Sequence, residues 1–347
     1  MIDLKLLSKI CETPGAPGYE KKIRDVIIKE IEKHVDDFYI DNIGNLVTKI
    51  KGKGRKKTMV AAHMDEIGFI TTHIDKNGFI RFHTLGGFDP KTLTAQRVVI
   101  HGKKDIIGVM GTKPVHVMSP EEKKIIPKTT DFFIDTGMTK KEIEKYVSVG
   151  DTITRKCDLI EIGECVSCKS LDNRISVFIL IEVLKKIKNP PNDFYGVFTV
   201  QEEVGLRGAM TSTLEILPDY GFGLDTTIAF DVPGSQDYQK ITELGKGVAI
   251  KVMDSSTICD YRMIKYMTQI AEKNKIKYQK EILTAGGTDT AGIQRMNPGG
   301  SIAGAVSIPT RHIHQVIEMV HKKDVRAAID LLRASVENLD SYDWKFK

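Results

Sequence analysis

The sequence predicts an α/β protein whose mixed sheet is flanked by helices and interrupted by a small all-β domain. Apolar runs typical of buried strands alternate with amphipathic helices near both ends of the chain. Between residues 67 and 161, short β-like runs instead follow one another, separated by Gly, Asp and Asn turns. A chain of 347 residues is also long for a single hydrophobic core. We therefore assign residues 1–66 and 162–347 to one α/β domain and 67–161 to a β-barrel-like insertion.

The segments before the insertion are typical of two helices followed by two strands. A short amphipathic helix precedes a Gly/Pro loop, and apolar residues with helical spacing then extend from Glu20 to Val35. The runs NLVTKI and TMVAAHM are predicted strands. Between them lies the basic run KGKGRKK, residues 51–57, which we interpret as a solvated hairpin tip. No aromatic residues interleave with its charges to form a nucleic-acid surface.

The segments after the insertion alternate between helices and strands, which predicts helices on both faces of the sheet. The predicted helices extend over Ile175–Ile187, Arg262–Lys273 and Asp324–Asn338. The predicted strands have the sequences YGVFTV, TIAFDV and GGSIAGAVSI. Inside the insertion, one short helix is predicted over Thr139–Tyr146.

The composition disfavours several classes of protein. The net charge is only +5, and no apolar run approaches the roughly 20 residues that span a bilayer. We therefore expect no nucleic-acid partner and no membrane partner. Charged residues interrupt the N-terminal segment, unlike a signal peptide, so we expect a cytoplasmic protein. The five cysteines are an odd number, and we expect Cys165 and Cys168 to be reduced thiols, with a zinc or redox role as the alternative.

Polar side chains that bind metals or protons follow several predicted strands, at the ends where α/β sheets bind ligands. These residues are His63, Asp65, Glu66, Glu202, Glu203, Asp231, His312 and His314, with Asp172 just before a helix. Taken singly, a strand-end histidine is more often an ordinary polar residue, Asp231 could be a turn residue and Asp172 a helix cap. Together they predict a metal site, and imidazole and oxygen ligands without cysteine suit Zn²⁺, Co²⁺ or Mn²⁺.

The spacing of two pairs of these residues has a chemical meaning. His63 and Asp65 are two residues apart on one face of a strand, which suits a histidine ligand oriented by a carboxylate. Glu202 and Glu203 would point to opposite faces of a straight strand, but Gly205 allows the chain to turn and present both. One carboxylate could then bind a metal while the other carries a proton.

Five motifs that contain these residues follow one another along the chain. They are His63-Met-Asp65-Glu66-Ile-Gly68, Leu171-Asp172-Asn-Arg174, Gln201-Glu202-Glu203-Val-Gly205, Phe230-Asp231 and Pro309-Thr-Arg311-His-Ile-His314. In this order they resemble the motifs of the M42 metallopeptidases, the tetrahedral, cage-forming TET aminopeptidases. The resemblance covers nearly the whole chain. It implies a zinc-peptidase-like catalytic domain with an inserted dimerisation domain.

The resemblance also implies a site for two divalent metal ions, zinc or cobalt. One ion would be bound by His63, Asp172 and Asp231, and the other by Asp172, Glu203 and His314, so that Asp172 bridges them. Glu202 would be the general base, Asp65 the partner of His63, and the loop GGTDT would bring Thr288 and Asp289 to the substrate. His312 stands where the family often has an aromatic residue, and it is the alternative to His314 as a ligand.

The function implied is a binuclear-metal aminopeptidase that hydrolyses N-terminal residues from short peptides, with a metal-bridged water as nucleophile. The family implies dimers that assemble into a homododecamer. A glycoside hydrolase is one alternative, but its carboxylates flank the bond about 5–10 Å apart, which adjacent glutamates fit poorly. A non-catalytic assembly subunit is the other alternative, which the presence of Glu202 disfavours.

Overall fold

A computed structural model describes residues 2–346. Two helices begin the chain, strands then follow one another between Asp37 and Cys168 with one short α-helix among them, and helices alternate with strands from Leu171 onward. The helices are α1 (Leu4–Glu12), α2 (Lys21–Ile31), α3 (Lys140–Ile143), α4 (Leu171–Leu184), α5 (Arg207–Ile216), α6 (Tyr261–Lys273), α7 (Thr290–Arg295) and α8 (Lys322–Glu337). The strands are β1 (Asp37–Ile40), β2 (Leu46–Ile50), β3 (Lys57–His63), β4 (Gly68–Ile74), β5 (Ile80–Leu85), β6 (Arg97–His101), β7 (Asp105–Gly111), β8 (Phe133–Asp135), β9 (Thr152–Arg155), β10 (Ile160–Ile162), β11 (Cys165–Cys168), β12 (Asp193–Thr199), β13 (Tyr220–Ile228), β14 (Val248–Met253), β15 (Tyr278–Ile282), β16 (Ile302–Arg311) and β17 (Glu318–His321).

Within residues 2–346, eleven strands form one mixed sheet, centred on the parallel strands β12, β3, β13 and β16. Successive residues of β3 face opposite sides of this sheet. Met59 and Ala61 pack in a cluster with residues of α5 and α7, whereas Val60 and Ala62 pack with α1, α2, α4, α6 and α8. Helices therefore cover both faces, which confirms the predicted fold class.

The inserted domain is a closed barrel with the strand order β4-β5-β8-β7-β6-β9. Phe69, Ile100, Ile134 and Ile153 are among the buried residues that fill it. The chain enters the barrel directly after β3 and leaves it after β9, and β10 already pairs with β11 in the mixed sheet. The barrel is thus joined to the mixed sheet at the edge where β3 ends.

The position of β13 differs from the sequence prediction. The run TIAFDV, residues 227–232, predicts a strand, but β13 extends over Tyr220–Ile228. Gly221 and Gly223 weaken the apolar pattern at the start of this strand, yet they allow α7 to pack closely on it. A Cβ atom at Gly221 would lie 2.1 Å from Ile293, and one at Gly223 would lie 1.9 Å from Thr290. These glycines place the start of the strand at Tyr220, earlier than the apolar run indicates. The strand ends at Ile228, before Asp231.

Two connecting segments also differ from expectation. The basic run 51–57 is largely exposed, as predicted, but it is not a hairpin tip because β12 lies between β2 and β3 in the sheet. The helices α5 and α7 were not predicted, whereas α4, α6 and α8 lie within a few residues of their predicted positions. No helix within residues 2–346 is both long and apolar enough to cross a lipid bilayer.

Candidate metal centre

The carboxyl ends of the parallel strands bring most of the predicted site residues to one edge of the sheet. The side chains at this edge are His63 at the end of β3, Glu202 and Glu203 after β12, Asp225 in β13, His314 after β16, and Asp172 at the start of α4. All of them line one cavity of about 910 Å³. A volume of this size accommodates a small ligand or the end of a peptide.

Among residues 2–346, two groups of side chains place metal-binding atoms within 4.8 Å of one another, and Asp172 belongs to both groups. In the first group, His63 Nε2 lies 3.4 Å from Asp172 Oδ1 and 3.7 Å from Asp225 Oδ1. In the second group, His314 Nε2 lies 3.4 Å from Asp172 Oδ2 and 3.5 Å from Glu203 Oε2. Asp172 therefore directs one carboxylate oxygen to each group, which is the position of a bridging ligand.

Glu202 lies beside the first group without being one of its members. Its Oε2 atom is 3.7 Å from His63 Nε2, and its side chain lines the same cavity. The chain turns just before this residue, because Gln201 has a left-handed backbone with a φ of 54°. The turn, rather than Gly205 alone, allows two adjacent glutamates to face the same cavity.

Asp65 contacts three of these residues from behind. One of its carboxylate oxygens lies 3.4 Å from His63 Nδ1. The same carboxylate accepts hydrogen bonds from the backbone N–H groups of Glu202, at 3.1 Å, and Glu203, at 3.2 Å. Asp65 is fully buried. It is therefore placed to orient the imidazole and to hold the turn that carries both glutamates.

The carboxylates of this edge are more numerous than the protein cations that face them. Burial raises the pKa of Glu203 to about 8, and the neighbouring charge of Asp172 adds to this effect. Burial also raises the pKa of Glu202 and of Asp225, and His63 offsets only part of the increase. Glu203 Oε1 is buried without a hydrogen-bond partner among the described residues. The ionised acids thus require a further positive charge.

The two histidines respond to the same excess of negative charge. Burial alone would lower the pKa of His314, but Glu203 and Asp172 raise it to about 10. Burial opposes the charged form of His63 in the same way, and the adjacent carboxylates, Glu202 foremost, raise its pKa well above 6.5. A divalent cation would take the place of these protons, since a ligating imidazole must be neutral. The nitrogen and oxygen donors therefore fit such an ion.

The structure does not bring Asp231 to the cavity, and the prediction that Asp231 is a metal ligand is corrected here. Its carboxylate accepts hydrogen bonds from Arg311 Nε at 2.6 Å, from Arg311 Nη2 at 2.7 Å and from the backbone of Leu244 at 2.9 Å. The ion pair with Arg311 holds the pKa of Asp231 below its usual value, although burial opposes the shift. Asp225 occupies the expected position, because β13 begins and ends earlier than predicted.

The other predicted site residues are divided between the cavity and its surroundings. Thr288 lines the cavity and donates a hydrogen bond to Asp254 at 3.2 Å. Asp289 is buried and does not line it; its carboxylate accepts a hydrogen bond from Thr199 at 2.5 Å. His312 also lines the cavity, but His314 is the histidine that joins the second group of ligand atoms.

Asp225 was not predicted from the sequence, and neither was the buried ion pair of Glu66 with Lys169 next to the site. Asp225 stands in the run GLDTTI, where an acid within an apolar strand was the available signal. Glu66, predicted only as part of a motif, is buried and accepts hydrogen bonds from Lys169 Nζ at 2.8 and 2.6 Å. Cys165 and Cys168 lie on β11, and both are free thiols.

The geometry agrees with a comparison to known families. A family model described as M42 glutamyl aminopeptidase matches residues 44–331. The chain belongs to the M42 peptidase family. It is therefore a peptide hydrolase of the aminopeptidase type, and the predicted family resemblance is confirmed.

Individual members of the M42 family are similar over nearly their whole length. A TET aminopeptidase structure from the archaeon Thaumarchaeota archaeon SCGC AB-539-E09 is 35% identical, with a TM-score of 0.94 and coverage of 97% of this chain and 96% of that chain. A TET1 peptidase structure from Pyrococcus horikoshii, titled as assembling into a tetrahedron or a large octahedral shell, is 34% identical, with a TM-score of 0.87 and coverage of 96% and 98%. The lysyl aminopeptidase of Pyrococcus furiosus is 33% identical, with coverage of 99% of both chains.

Proposed function

We propose that this chain is a two-metal aminopeptidase that removes N-terminal residues from short peptides. The observation that carries the proposal is the position of Asp172, which directs Oδ1 to the His63 group and Oδ2 to the His314 group. His63, Asp172 and Asp225 would hold one ion, and Asp172, Glu203 and His314 the other. The ions would be zinc or cobalt, since the donors are imidazoles and carboxylates without cysteine.

The protein's own residues divide the remaining work. Divalent ions at these positions would polarise the peptide carbonyl and lower the pKa of water. Glu202 faces the cavity outside both ligand groups, and its raised pKa suits a residue that accepts a proton and returns it to the leaving amine. Asp65 orients His63 and holds the backbone of both glutamates. Thr288 lines the cavity, where it could contact a substrate.

We also propose that the inserted domain, whose barrel is formed by β4–β9, mediates dimerisation and that dimers build a homododecamer. The support is the similarity to a TET1 peptidase that is titled as assembling into closed shells. An enclosed site would restrict substrates to short or unfolded peptides. Light scattering coupled to size-exclusion chromatography tests this assembly, and a strictly monomeric protein would contradict it.

The geometry disfavours the glycoside hydrolase alternative. Glu202 and Glu203 do not flank a cleft from two sides; their carboxylates approach His63 and His314, respectively. A glycosidase would leave both histidines without a role, whereas a metallopeptidase uses them as ligands. A non-catalytic assembly subunit is likewise disfavoured, because Glu202 faces the cavity beside the ligand groups.

The proposal is tested by the release of chromophore from a panel of aminoacyl anilides, with and without added Co²⁺ or Zn²⁺. We expect activity that depends on metal and that falls about 10²–10⁴-fold in Glu202→Gln, because the general base is lost. Metal binding should be retained in this variant, as measured by titration calorimetry. The exposed substitution Glu161→Gln serves as the matched control. A folded, metal-loaded enzyme that releases no aminoacyl group would refute the proposal.

A further inference from the structure

Glu318 lies behind the metal centre and touches both of its ligand groups. It is the first residue of β17 and is completely buried, with 0% of its surface exposed. Its Oε2 atom accepts a hydrogen bond from the backbone N–H of Asp172 at 2.8 Å. Its Oε1 atom accepts one from the backbone N–H of His314 at 2.9 Å. One carboxylate thus holds the bridging aspartate and the histidine of the second group together.

The backbone of His314 needs such support. Its φ of 64° lies in the left-handed region, which side chains other than glycine rarely adopt and which persists only when the surroundings hold it. Glu318 accepts a hydrogen bond from its N–H group, and Arg155 Nη1 donates one to its carbonyl oxygen at 3.0 Å. Both polar groups of this residue's backbone are therefore held by hydrogen bonds to the side chains of Glu318 and Arg155.

Arg155 reaches the site from the other domain. It is the last residue of β9 in the barrel, and only 1% of its surface is exposed. Its guanidinium carbon lies 5.5 Å from the centre of the Phe88 ring, and Phe88 lines the cavity. Burial raises the pKa of Glu318 to about 8, and the positive charge of Arg155 offsets part of this increase. The barrel therefore contributes a buried cation to the loop that carries a metal ligand.

We propose that Glu318 and Arg155 are positioning residues for the metal centre, and that Arg155 transmits the position of the barrel to His314. The proposal rests on the proposed function, because it concerns the residues that would hold the two ions. Neither residue belongs to a ligand group. Glu318 sets the distance between Asp172 and His314, and Arg155 fixes the carbonyl side of His314. Loss of either contact should weaken the second group more than the first.

The chain offers a matched pair of variants for Glu318. In Glu318→Gln, one acceptor oxygen becomes an NH₂ donor that faces a backbone N–H, so one of the two hydrogen bonds is lost. Asp324 makes the same type of contact elsewhere, because its buried carboxylate accepts hydrogen bonds from the N–H groups of Gly245 at 2.6 Å and Gly247 at 2.8 Å. Asp324→Asn therefore removes a comparable backbone contact whose partners, Gly245 and Gly247, belong to neither ligand group.

The experiment is a calorimetric titration of chelator-treated, full-length protein with Zn²⁺, repeated with Co²⁺ while its visible absorption is recorded. We expect Glu318→Gln to bind one of the two ions, the one held by the second group, about 10–100-fold less tightly, and the other ion to change less, as found when partners of metal ligands are removed. Arg155→Met should weaken the same ion, and Arg155→Lys should recover little of the loss, because a lysine cannot reproduce the geometry of the guanidinium. Asp324→Asn should bind both ions like the wild type.

Urea unfolding of the metal-free variants measures the free energy of unfolding of each one, so that a loss of metal affinity can be distinguished from a general loss of stability. Unchanged affinities and an unchanged Co²⁺ spectrum in Arg155→Met would overturn the proposal, even if Glu318→Gln failed to fold. Equal losses of affinity in Asp324→Asn and Glu318→Gln would also overturn it, because they would show a general effect of stability. A wild-type chain that binds no second ion would instead refute the two-metal function itself. The failure of each proposal is thus recognised by a different result.

Discussion

Two buried groups of charged side chains, one around Glu66 and one around Glu203, lie near the end of β3, and their acids are neutralised in different ways. Glu66 accepts hydrogen bonds from Lys169 Nζ at 2.8 and 2.6 Å, and Arg174 Nη2 lies 3.7 Å away. Glu203, at the cavity, is slightly more exposed than Glu66, and it has only His314 within ion-pair distance, at 3.5 Å, among the described residues. One cluster contains lysine and arginine, and the other contains histidines and a surplus of carboxylates.

The difference appears in the pKa values. Burial would raise the pKa of Glu66, yet Lys169 and Arg174 lower it below its ordinary value. Burial raises the pKa of Glu203 to about 8, and His314 compensates only in part. An acid that the fold itself neutralises is structural, whereas an acid left without a permanent cation is available to bind one. Glu66 therefore belongs to the structural support of the site, whereas Glu203 belongs to the site itself.

The largest expected effect concerns the neutralised cluster. Lys169→Met leaves Glu66 buried without its main partner, and we expect the free energy of unfolding to fall by about 3–5 kcal/mol. Lys185→Met is the matched control, because Lys185 Nζ lies 3.0 Å from the carboxylate of Glu30 and both side chains are partly exposed. It should lower the free energy of unfolding by less than about 1 kcal/mol. Urea unfolding in the presence of chelator measures both. Equal losses in the two variants would remove the contrast between the clusters.

A second experiment distinguishes the two candidate aspartates of the first ligand group. Asp225→Asn removes a carboxylate of the group. We expect Zn²⁺ affinity to fall by about 100-fold or more, because the loss of a residue that only supports a ligand already costs about 10–100-fold. Asp231→Asn disturbs the ion pair with Arg311 and the contact with the Leu244 backbone, neither of which involves a ligand group. Zn²⁺ affinity should therefore stay within about threefold of the wild type, since such partly exposed pairs contribute little. The opposite ranking would restore Asp231 as the ligand and shift the centre along the chain.

The smallest expected effect concerns pH. In the metal-free protein, the folded pKa values of Glu203, about 8, and His314, about 10, lie above their ordinary values, so the folded chain holds more protons than the unfolded chain. The free energy of unfolding should therefore fall as pH rises from 5 to 6.5, by roughly 1–3 kcal/mol. Saturation with Zn²⁺ should flatten the dependence. Glu203→Gln should reduce the slope, whereas the exposed variant Glu122→Gln should leave it unchanged.

The sequence predicted the fold class and most members of the two candidate ligand groups because their signals are local. Helical spacing locates α6 and α8 within a few residues. Apolar runs that end in His63 or in the two glutamates reveal where strands meet a polar edge. The same reasoning fails for β13, because its glycines are required by the close approach of α7. A contact between elements distant in sequence leaves no local pattern. For this reason the sequence predicted Asp231 as a ligand, whereas the structure places Asp225 beside His63.

Local patterns in the amino-acid sequence are sufficient to predict the α/β architecture with its inserted β domain, the family motifs and the kinds of side chain at the candidate site. That Asp225 rather than Asp231 lies beside His63, and that Glu318 and Arg155 hold His314 from either side, is visible only in the folded chain. Hydrophobic spacing and turn chemistry act between neighbours along the chain, whereas the charge balance of a buried cluster depends on side chains from distant strands and from a second domain.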